Sequence, residues 1–483
     1  MQKEIDLQGK RVLVMGLGLH GGGIATAHFL ARQGARVLVT DLRSEQELKP
    51  SLVQLKGIKN ISYRLGEHRA SDFLEQHLIL KNPGVPPDSP FLKLARKHRI
   101  PVTSDMGIFF ALCPAMIIGI TGTRGKSTTA SLISLFLQAG FKRLPRGTRP
   151  RVFLGGNIRR SVLEFLDKLK PADIVILELS SFQLQDLASD TFLGQDRRKS
   201  PDIAVLTNIM PDHLNWHGTM IRYIAAKKVI FQFQRARDHL FANPLDPRVK
   251  KIISRARSHV HFPVLTRSLE PIVDEILGSH YRQSVALAVG VAQHFGIKND
   301  AIIPALKRFR GLQGRQEYIG EIHGAHVIND TTATMPDAAI EAIKRFRDKA
   351  GAQRLVLIAG GQDKGLDFKQ LAKMIRKNVD VLILLPGTAT EKLQQILGER
   401  GKGKGESKNS SPFTLHPSPL TLCHAGSMKD AVEMAFQAAE KGDYIVLSPG
   451  AASFGLFLNE FDRGEKFVKE VKKIQTKSKR AIE

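Results

Sequence analysis

The stretch Gly119-Ile120-Thr121-Gly122-Thr123-Arg124-Gly125-Lys126-Ser127-Thr128 sets the architecture of this chain. It follows an apolar run at residues 115–120, which is typical of a buried strand, and it leads into a helical pattern over residues 126–139. A glycine-rich turn between a strand and a helix presents backbone N–H groups and the positive end of the helix dipole to an anion. The stretch therefore predicts a phosphate-binding loop in a parallel α/β domain.

The residue types of this loop suit a nucleoside triphosphate. Lys126 can reach the β and γ phosphates, and the hydroxyl of Ser127 or Thr128 can ligate Mg²⁺. The strict GxxxxGK[ST] pattern is not met, because Ile120 occupies the first glycine position. The alternative is a glycine turn that only opens a helix, but the Lys-Ser-Thr that follows favours phosphate binding. We predict ATP as the ligand, bound by Thr121, Gly122, Thr123, Gly125, Lys126, Ser127 and Thr128.

A second glycine turn lies near the N-terminus. The stretch Gly16-Leu17-Gly18-Leu19-His20-Gly21 follows an apolar strand at residues 11–15 and precedes a helical pattern at residues 24–33. Asp41 ends the next strand, which is where a dinucleotide-binding unit has its ribose-binding acid. Tight turns need glycines with or without a ligand, and a second nucleotide site downstream weakens the case for NAD.

Strand and helix patterns alternate along the whole chain. Further apolar strands occur at residues 174–177, 203–206, 354–358, 381–385 and 444–447, with a helix at residues 284–294. This alternation predicts an α/β protein of three domains. We expect a Rossmann-like N-terminal domain at residues 1–110, a central P-loop ATP-binding domain with a parallel sheet at residues 111–311, and a Rossmann-like C-terminal domain at residues 312–483. Residues 398–412, rich in Gly, Lys and Ser, predict a surface insertion.

Composition excludes several classes of protein. No apolar run approaches the ~18 residues of a membrane span, and the first residues lack the pattern of a signal peptide. Two distant cysteines, Cys113 and Cys423, exclude a disulfide framework and favour a reducing, cytoplasmic setting. The net charge is +26, with dense clusters at residues 142–146 and 466–480 that we expect in loops or tails. Because no basic motif is interleaved with aromatic residues, we expect a solvated basic surface and no specific nucleic-acid site.

Several motifs resemble those of the Mur ligase family. The phosphate loop resembles its GxTGTxGKST sequence, and Glu178-Leu179-Ser180-Ser181-Phe182-Gln183-Leu184 resembles the signature of its D-glutamate-adding member. Thr207-Asn208, Asp212-His213, residues 223–227 and residues 448–453 also match, in order along almost the whole chain. The resemblance implies ATP-dependent ligation of D-glutamate to UDP-N-acetylmuramoyl-L-alanine through an acyl phosphate, in peptidoglycan precursor synthesis.

The resemblance also implies roles for individual residues. Lys126, Glu178, His213 and Lys227 are the implied catalytic residues, and Lys227 is the lysine that becomes carbamylated. Two Mg²⁺ ions are implied, with Ser127, Glu178, His213 and Lys227 as ligands. Arg315 and Asp330 are implied to lie beside ATP, and Thr334, Lys364 and Ser453 are implied to bind D-glutamate. The uridine-bearing substrate is assigned to Leu19, His20, Asp41, Arg43, Asn82, Gly84, Asn157 and Ser181.

Departures from the family pattern affect the pockets rather than the phosphate chemistry. Thr332 stands where a family lysine is expected, and Tyr281 and Ser284 replace asparagines near the adenine. Three alternatives stay open: a sister ligase that adds another amino acid, an NAD-dependent dehydrogenase, and a non-catalytic nucleotide- or nucleic-acid-binding protein. Folate-type relatives are disfavoured, because they lack a UDP-binding first domain. We expect a monomer.

Overall fold

The computed structural model describes residues 6–19, 21–157, 161–190, 192, 200–309, 311–398 and 420–480. The chain divides into two compact units, Met1–Phe309 and Arg310–Glu483. His20, which was assigned above to the uridine-bearing substrate, lies outside the described residues, as does the insertion beyond Gly398. Across the described residues, no helix is both long enough and apolar enough to span a membrane.

The first sheet of unit Met1–Phe309 is parallel, with strand order β3-β2-β1-β4-β5. Its central strands are buried on both faces because helices connect them, as the apolar run of β1 predicts. The strands are β1 (Arg11–Met15), β2 (Arg36–Asp41), β3 (Ile61–Leu65), β4 (Leu78–Lys81) and β5 (Val102–Thr103). The helices are α1 (Gly22–Arg32), α2 (Glu45–Gln54), α3 (Ala70–Leu74), α4 (Pro90–Lys97) and α5 (Asp105–Leu112).

The second sheet of the same unit is also parallel, in the order β11-β10-β9-β6-β8-β7. The helices α6, α12 and α13 pack together on one face of it. The strands are β6 (Met116–Thr121), β7 (Val152–Gly156), β8 (Ile174–Glu178), β9 (Ile203–Leu206), β10 (His239–Ala242) and β11 (His259–His261). The helices are α6 (Lys126–Phe141), α7 (Ser181–Ser189), α8 (Leu214–His217), α9 (Met220–Gln232), α10 (Pro247–Ile253), α11 (Glu270–Ile276), α12 (Arg282–His294) and α13 (Asn299–Lys307).

A buried ion pair joins the first sheet to the second within this unit. Lys81, the last residue of β4, lies 2.7 Å from the carboxylate of Asp186 on α7, and both side chains are buried. Removing one partner of a buried ion pair strongly destabilises a protein, because the other charge stays buried and unpaired. The pair therefore fixes the loop after β4, which carries Asn82, beside the central domain.

The unit Arg310–Glu483 has a mixed sheet in the order β12-β13-β17-β14-β15-β16. Only β12 is antiparallel among the strands described, because a short hairpin joins it to β13. The strands are β12 (Glu317–Ile322), β13 (Ala325–Asn329), β14 (Leu355–Gly360), β15 (Val381–Leu385), β16 (Thr421–His424) and β17 (Tyr444–Leu447). The helices are α14 (Pro336–Ala350), α15 (Lys369–Asn378), α16 (Thr388–Gly398), α17 (Met428–Ala438) and α18 (Glu460–Arg480).

The expected fold class is confirmed: an α/β protein with parallel sheets. The three sheets fall within residues 1–110, 111–311 and 312–483, but the boundaries themselves stay a prediction. One expectation was wrong, because the basic segment 466–480 is not a tail but belongs to α18. Phe467 and Val471 of this helix are fully buried, and their spacing of four residues places them on one face.

Candidate active site

Polar residues converge at the carboxyl edge of the second sheet. The neighbouring strands β7, β8, β6 and β9 all end there. Asn157 follows β7, Glu178 is the last residue of β8, the phosphate loop follows β6, and Thr207 follows β9. Since the strands are parallel, these groups lie on one edge, which is where ligands bind in open α/β sheets. The residues expected from the sequence at this edge are therefore brought together.

The phosphate loop needs its glycines. Gly122 has φ 148° and Gly125 has φ 80°, both in the region that favours glycine. The loop is braced from the end of β9, where Asn208 Oδ1 accepts the backbone N–H of Arg124 at 2.8 Å. The hydroxyl of Thr207 donates to the carbonyl of Arg124 at 2.6 Å. These two bonds fix the backbone of the loop at Arg124.

Replacing Gly122 with alanine is expected to distort this loop. An added Cβ would overlap the hydroxyl oxygen of Thr207, on a backbone already at positive φ. We expect Gly122→Ala to lower the free energy of unfolding by about 1–3 kcal/mol and to raise the KM for ATP. Gly147→Ala is the matched control, because Gly147 also has positive φ but has nothing within 4 Å of the added Cβ. Equal effects of the two changes on the KM for ATP would contradict this role for the loop.

Lys126 opens helix α6, directly after Gly125. Its ammonium donates to the carbonyl of Thr123 at 2.9 Å, so it lies folded over the loop. The side chains of Ser127 and Thr128 are buried in the first helical turn. The loop, the lysine and the helix N-terminus thus lie together, in the arrangement that an anion cradle requires.

Glu178 has the features of a metal ligand. It is almost fully buried at the end of β8. Asn157 donates to its Oε1 at 3.2 Å, whereas its Oε2 is buried without a hydrogen-bond partner among the described residues. An orphaned buried carboxylate oxygen requires a partner. Oxygen donors from Ser127 and Glu178 are the kind that Mg²⁺ prefers, so the residues fit this ion.

His213 stands at the N-terminus of α8 with φ 51°. Its ring packs edge-on against Phe182 at 4.9 Å between centroids, and its Nε2 lies 3.5 Å from Asp212. Burial lowers the pKa of the imidazole below its ordinary value, aided by the charges of Lys126 and Lys227 and opposed by Asp212. The neutral imidazole is the form that binds a metal.

Lys227 of α9 is buried, although a lysine on a helix is usually exposed. Its ammonium donates to the carbonyl of Gly122 at 2.7 Å and lies 4.7 Å from the ring centroid of Tyr223. Burial, and then the charge of Lys126, hold the pKa of Lys227 well below its ordinary value. The phenol of Tyr223 shares a hydrogen bond of 3.0 Å with Thr123. Residue type alone did not reveal this environment.

Ser181 begins α7 and its hydroxyl lies 3.0 Å from Nε2 of His217. The ring of His217 is stacked on Phe182, with an interplanar angle of 6°. His217 also lines a cavity of about 680 Å³ between the loop after β4 and the helices α7 to α9. The volume is that of a small-molecule site. Sequence reasoning missed His217, whose only signal was its place four residues after His213.

The N-terminal glycine turn is held by Asp41. Its Oδ2 accepts the backbone N–H groups of Leu17 and Gly18 at 2.9 and 3.0 Å, and its Oδ1 accepts that of Arg43 at 2.9 Å. These three hydrogen bonds and the burial of Asp41 make it a support of the turn. Asn82 lies against the turn, and its Oδ1 accepts the N–H of Gly84 at 3.1 Å. Leu19 lies within the turn, and Arg43 is exposed.

The second unit collects its expected residues at the ends of three neighbouring strands. Thr334 follows β13, Lys364 follows β14 and Ser453 follows β17, in the sheet order β13-β17-β14. Gly450 N donates to the carbonyl of Ala333 at 2.8 Å, which joins two of these loops. Lys364 is exposed, while Ser453 is buried.

Asp330 is buried at the same edge of the second unit. It accepts the hydroxyl of Ser448 at 2.7 Å and the N–H of Gln316, next to Arg315, at 3.1 Å. Burial raises the pKa of Asp330 to about 7, against the hydrogen bond from Ser448. A carboxyl in this state switches readily between donor and acceptor near neutral pH.

Family models match three successive parts of the chain. The Mur ligase MurD-like N-terminal domain matches residues 10–104, the Mur ligase middle domain matches residues 120–285, and the Mur ligase glutamate ligase domain matches residues 314–450. A protein of Roseiflexus sp. (strain RS-1) named UDP-N-acetylmuramoylalanine–D-glutamate ligase is 38% identical over 494 residues, which cover 96% of this chain and 98% of that protein. The chain belongs to the Mur ligase family.

Other relatives of this Mur ligase carry the same name. The protein of Borreliella afzelii (strain PKo) is 34% identical over 489 residues, which cover 96% of this chain and 98% of that protein. Among solved structures, a MurF ligase from Thermotoga maritima in complex with ADP has a TM-score of 0.51 at 16% identity, covering 97% of this chain and 96% of that chain. At this identity the structural likeness shows the fold alone.

Proposed function

We propose that this Mur ligase joins D-glutamate to UDP-N-acetylmuramoyl-L-alanine and converts ATP to ADP and phosphate. The name shared by full-length relatives supports the substrates. The observation that carries the chemistry is the meeting of the phosphate loop, Glu178 and the buried Lys227 at one sheet edge. A dehydrogenase built on the N-terminal glycine turn would leave Lys126, Glu178 and His213 unexplained. Peptidoglycan precursor synthesis follows from the product.

The chain's own residues bring two anions together. The backbone N–H groups of the loop and the N-terminus of α6 bind the ATP phosphates, and Lys126 turns from Thr123 towards the γ phosphate. The substrate carboxylate takes that phosphoryl group and becomes an acyl phosphate. The amine of D-glutamate then attacks the carbonyl carbon, and phosphate leaves as the amide forms. The cradle lowers the barrier because cations and N–H donors face the developing charge.

Ser127, Glu178 and His213 would hold Mg²⁺, and Lys227 as its carbamate would help hold a second ion. Bound Mg²⁺ would neutralise part of the negative charge of the phosphates. The orphaned Oε2 of Glu178 supports this assignment. Asn157 orients the Glu178 carboxylate through its hydrogen bond of 3.2 Å.

The uridine-bearing substrate is assigned to the first unit. Leu19, Arg43 and the Asn82–Gly84 turn surround the N-terminal glycine loop, where exposed Arg43 suits a diphosphate. Asp41 supports that loop from beneath. The cavity beside Ser181 and His217 is the proposed site of the muramoyl-L-alanine part.

D-glutamate and the nucleotide are assigned to residues of the second unit by their chemistry. Exposed Lys364 and the hydroxyls of Thr334 and Ser453 suit a dicarboxylate. Arg315 and Asp330 are the proposed nucleotide neighbours. Residues 1–110, 111–311 and 312–483 are the corresponding proposed domains.

The test is phosphate release from ATP with UDP-N-acetylmuramoyl-L-alanine and one amino acid at a time. We expect release with D-glutamate and little with L-glutamate, L-lysine or D-alanine, since only one dicarboxylate stereoisomer meets Lys364 and the two hydroxyls correctly. Lys364→Ala should raise the KM for D-glutamate by at least about 10-fold and leave the KM for ATP unchanged. Lys373→Ala, an exposed lysine of α15, is the control. Release that needs a different amino acid would make the chain a sister ligase.

We further propose a cytoplasmic monomer. Neither Cys113 nor Cys423 forms a disulfide in the part of the chain that the structure describes, which fits a reducing compartment. Gel filtration with light scattering tests the oligomeric state, and a mass near twice 53.5 kDa would contradict it.

A further inference from the structure

Four histidines gather at the outer edge of the second sheet, away from the phosphate loop in the strand order. His239 begins β10, His259 and His261 lie on the edge strand β11, and His294 ends α12. The residue pairs His239–His259 and Phe241–His261 are in register on these parallel strands. Residues two apart on a strand share a face, so these side chains face the same helix.

Three of the four rings converge on one point. Nitrogen atoms of His239, His261 and His294 all lie within 4.8 Å of one another. His239 Nδ1 and His261 Nε2 are 2.9 Å apart, and the ring centroids of His239 and His294 are 4.2 Å apart. Phe241 stacks on His261 at 4.5 Å with an interplanar angle of 13°, which fixes that ring.

We propose that His239, His261 and His294 bind a divalent transition-metal ion of the Zn²⁺ class. Imidazole nitrogen is a preferred ligand of Zn²⁺, Ni²⁺ and Cu²⁺, whereas Mg²⁺ and Ca²⁺ prefer oxygen. With Zn–N bonds of about 2.0–2.1 Å, the nitrogens of a tetrahedral site lie about 3.3 Å apart. The closest pair, His239 Nδ1 and His261 Nε2, shares a hydrogen bond of 2.9 Å, so a metal would replace the shared proton at a slightly larger separation. The exposed side chain of His294 can move to complete the site.

Two features favour a metal over a plain stack of rings. The three nitrogens come from three different elements, β10, β11 and α12, so their convergence does not follow from one local repeat. His294 also ends α12, where the negative end of the helix dipole favours a cation. The dipole is important here because the three imidazole ligands are neutral and the chain has a net charge of +26, so little else at the site offsets the charge of the ion.

The bound ion would fasten the edge of the sheet. Strand β11 has only three residues and pairs with β10 alone among the described strands. A metal held by β10, β11 and α12 would tie this short strand to the helix that packs on the sheet. Since the ion binds the folded site and not the unfolded chain, its binding should raise the thermal stability.

The test uses the full chain without an affinity tag, because a polyhistidine tag would bind the same ions. Zn²⁺ is titrated calorimetrically with excess Mg²⁺ present, so that the oxygen-donor site at Glu178 is occupied. We expect one Zn²⁺ per chain and a rise in melting temperature. His294→Gln should raise the Kd for Zn²⁺ by about 10-fold or more, because even the loss of a group that only supports a metal ligand has an effect of this size.

His259→Gln is the matched control, since His259 lies on the same strand but outside the three converging rings. It should leave the Kd unchanged. Co²⁺ in place of Zn²⁺ should give the visible absorption of a tetrahedral ion, which His261→Gln should remove. Absence of Zn²⁺ binding, an unchanged Kd in His294→Gln, or loss of the signal in His213→Ala instead would each overturn the proposal. His294→Gln should fold normally, because the side chain is exposed.

Discussion

Replacing Lys126 with alanine should reduce kcat for D-glutamate-dependent phosphate release by about 10²–10³-fold. Lys126 opens α6 and its ammonium lies folded over the phosphate loop, 2.9 Å from the carbonyl of Thr123. Its charge is therefore close to where phosphoryl transfer develops negative charge. The loss should appear mainly in kcat, because the backbone N–H groups still bind the ground state of ATP. Steady-state kinetics with varied ATP measures both constants.

Two controls make this result specific. Lys142→Ala removes an exposed lysine at the other end of the same helix and should leave kcat unchanged. Gly18→Ala alters the N-terminal glycine turn, whose φ is 64°, and should change the KM for the uridine-bearing substrate but not that for ATP. A dinucleotide-dependent enzyme would give the opposite result: Gly18→Ala would lower kcat, and Lys126→Ala would leave it unchanged. Melting temperatures check that each variant is folded.

Most elements were predictable because burial in a parallel sheet needs apolar residues on both faces. All five residues of β8 are buried, and the first four, residues 174–177, stand out in the sequence as an unbroken apolar run. The phosphate loop was predictable because its backbone requires glycine at fixed positions, confirmed by the positive φ of Gly122 and Gly125. In both cases the requirement, apolar side chains or glycine, applies to residues that are neighbours in the chain, so it is visible in the local sequence.

The order of strands in a sheet depends on contacts between distant residues, and local patterns do not record it. The bracing of the loop by Thr207 and Asn208 exists only because β9 lies beside β6. The segment 466–480 was mistaken for a tail because its charges dominate, although Phe467 and Val471 form a buried stripe. Arg463 is fully buried with hydrogen bonds to Thr331 and Ala451, which composition would not suggest. The roles of site residues came from the family resemblance and stay predictions.

Lys227→Ala should lower kcat by about 10²-fold, because Lys227 is proposed to act as a carbamate. Burial and the charge of Lys126 hold the pKa of the Lys227 ammonium well below its ordinary value, which favours the neutral amine. The amine nitrogen can then attack the carbon of CO₂: an N–C bond forms, one C=O bond becomes C–O⁻, and the nitrogen gives up a proton to solvent. Lys227 thereby changes from a neighbour that repels Lys126 into one that attracts it.

The geometry tolerates this change. The carbamate nitrogen keeps one N–H, which is sufficient for the hydrogen bond that Lys227 donates to the carbonyl of Gly122. The new anion would lie near Glu178 and His213, where it can share a cation. A small carboxylate such as formate should enter the space left in Lys227→Ala and restore part of kcat, whereas chloride at the same ionic strength should not.

Lys228→Ala is the matched control, since the adjacent lysine is half-buried and lies outside the proposed metal ligands. Its kcat should stay at the wild-type value. Protein equilibrated with ¹³C-labelled bicarbonate should show a carbamate carbon signal by NMR in the wild type and in Lys228→Ala, and none in Lys227→Ala. Removing CO₂ should lower wild-type kcat, and added bicarbonate should restore it. A kcat that does not change with CO₂, together with a missing carbamate signal, would contradict the proposal. Lys227 would then act as an amine that supports the phosphate loop through its hydrogen bond to Gly122.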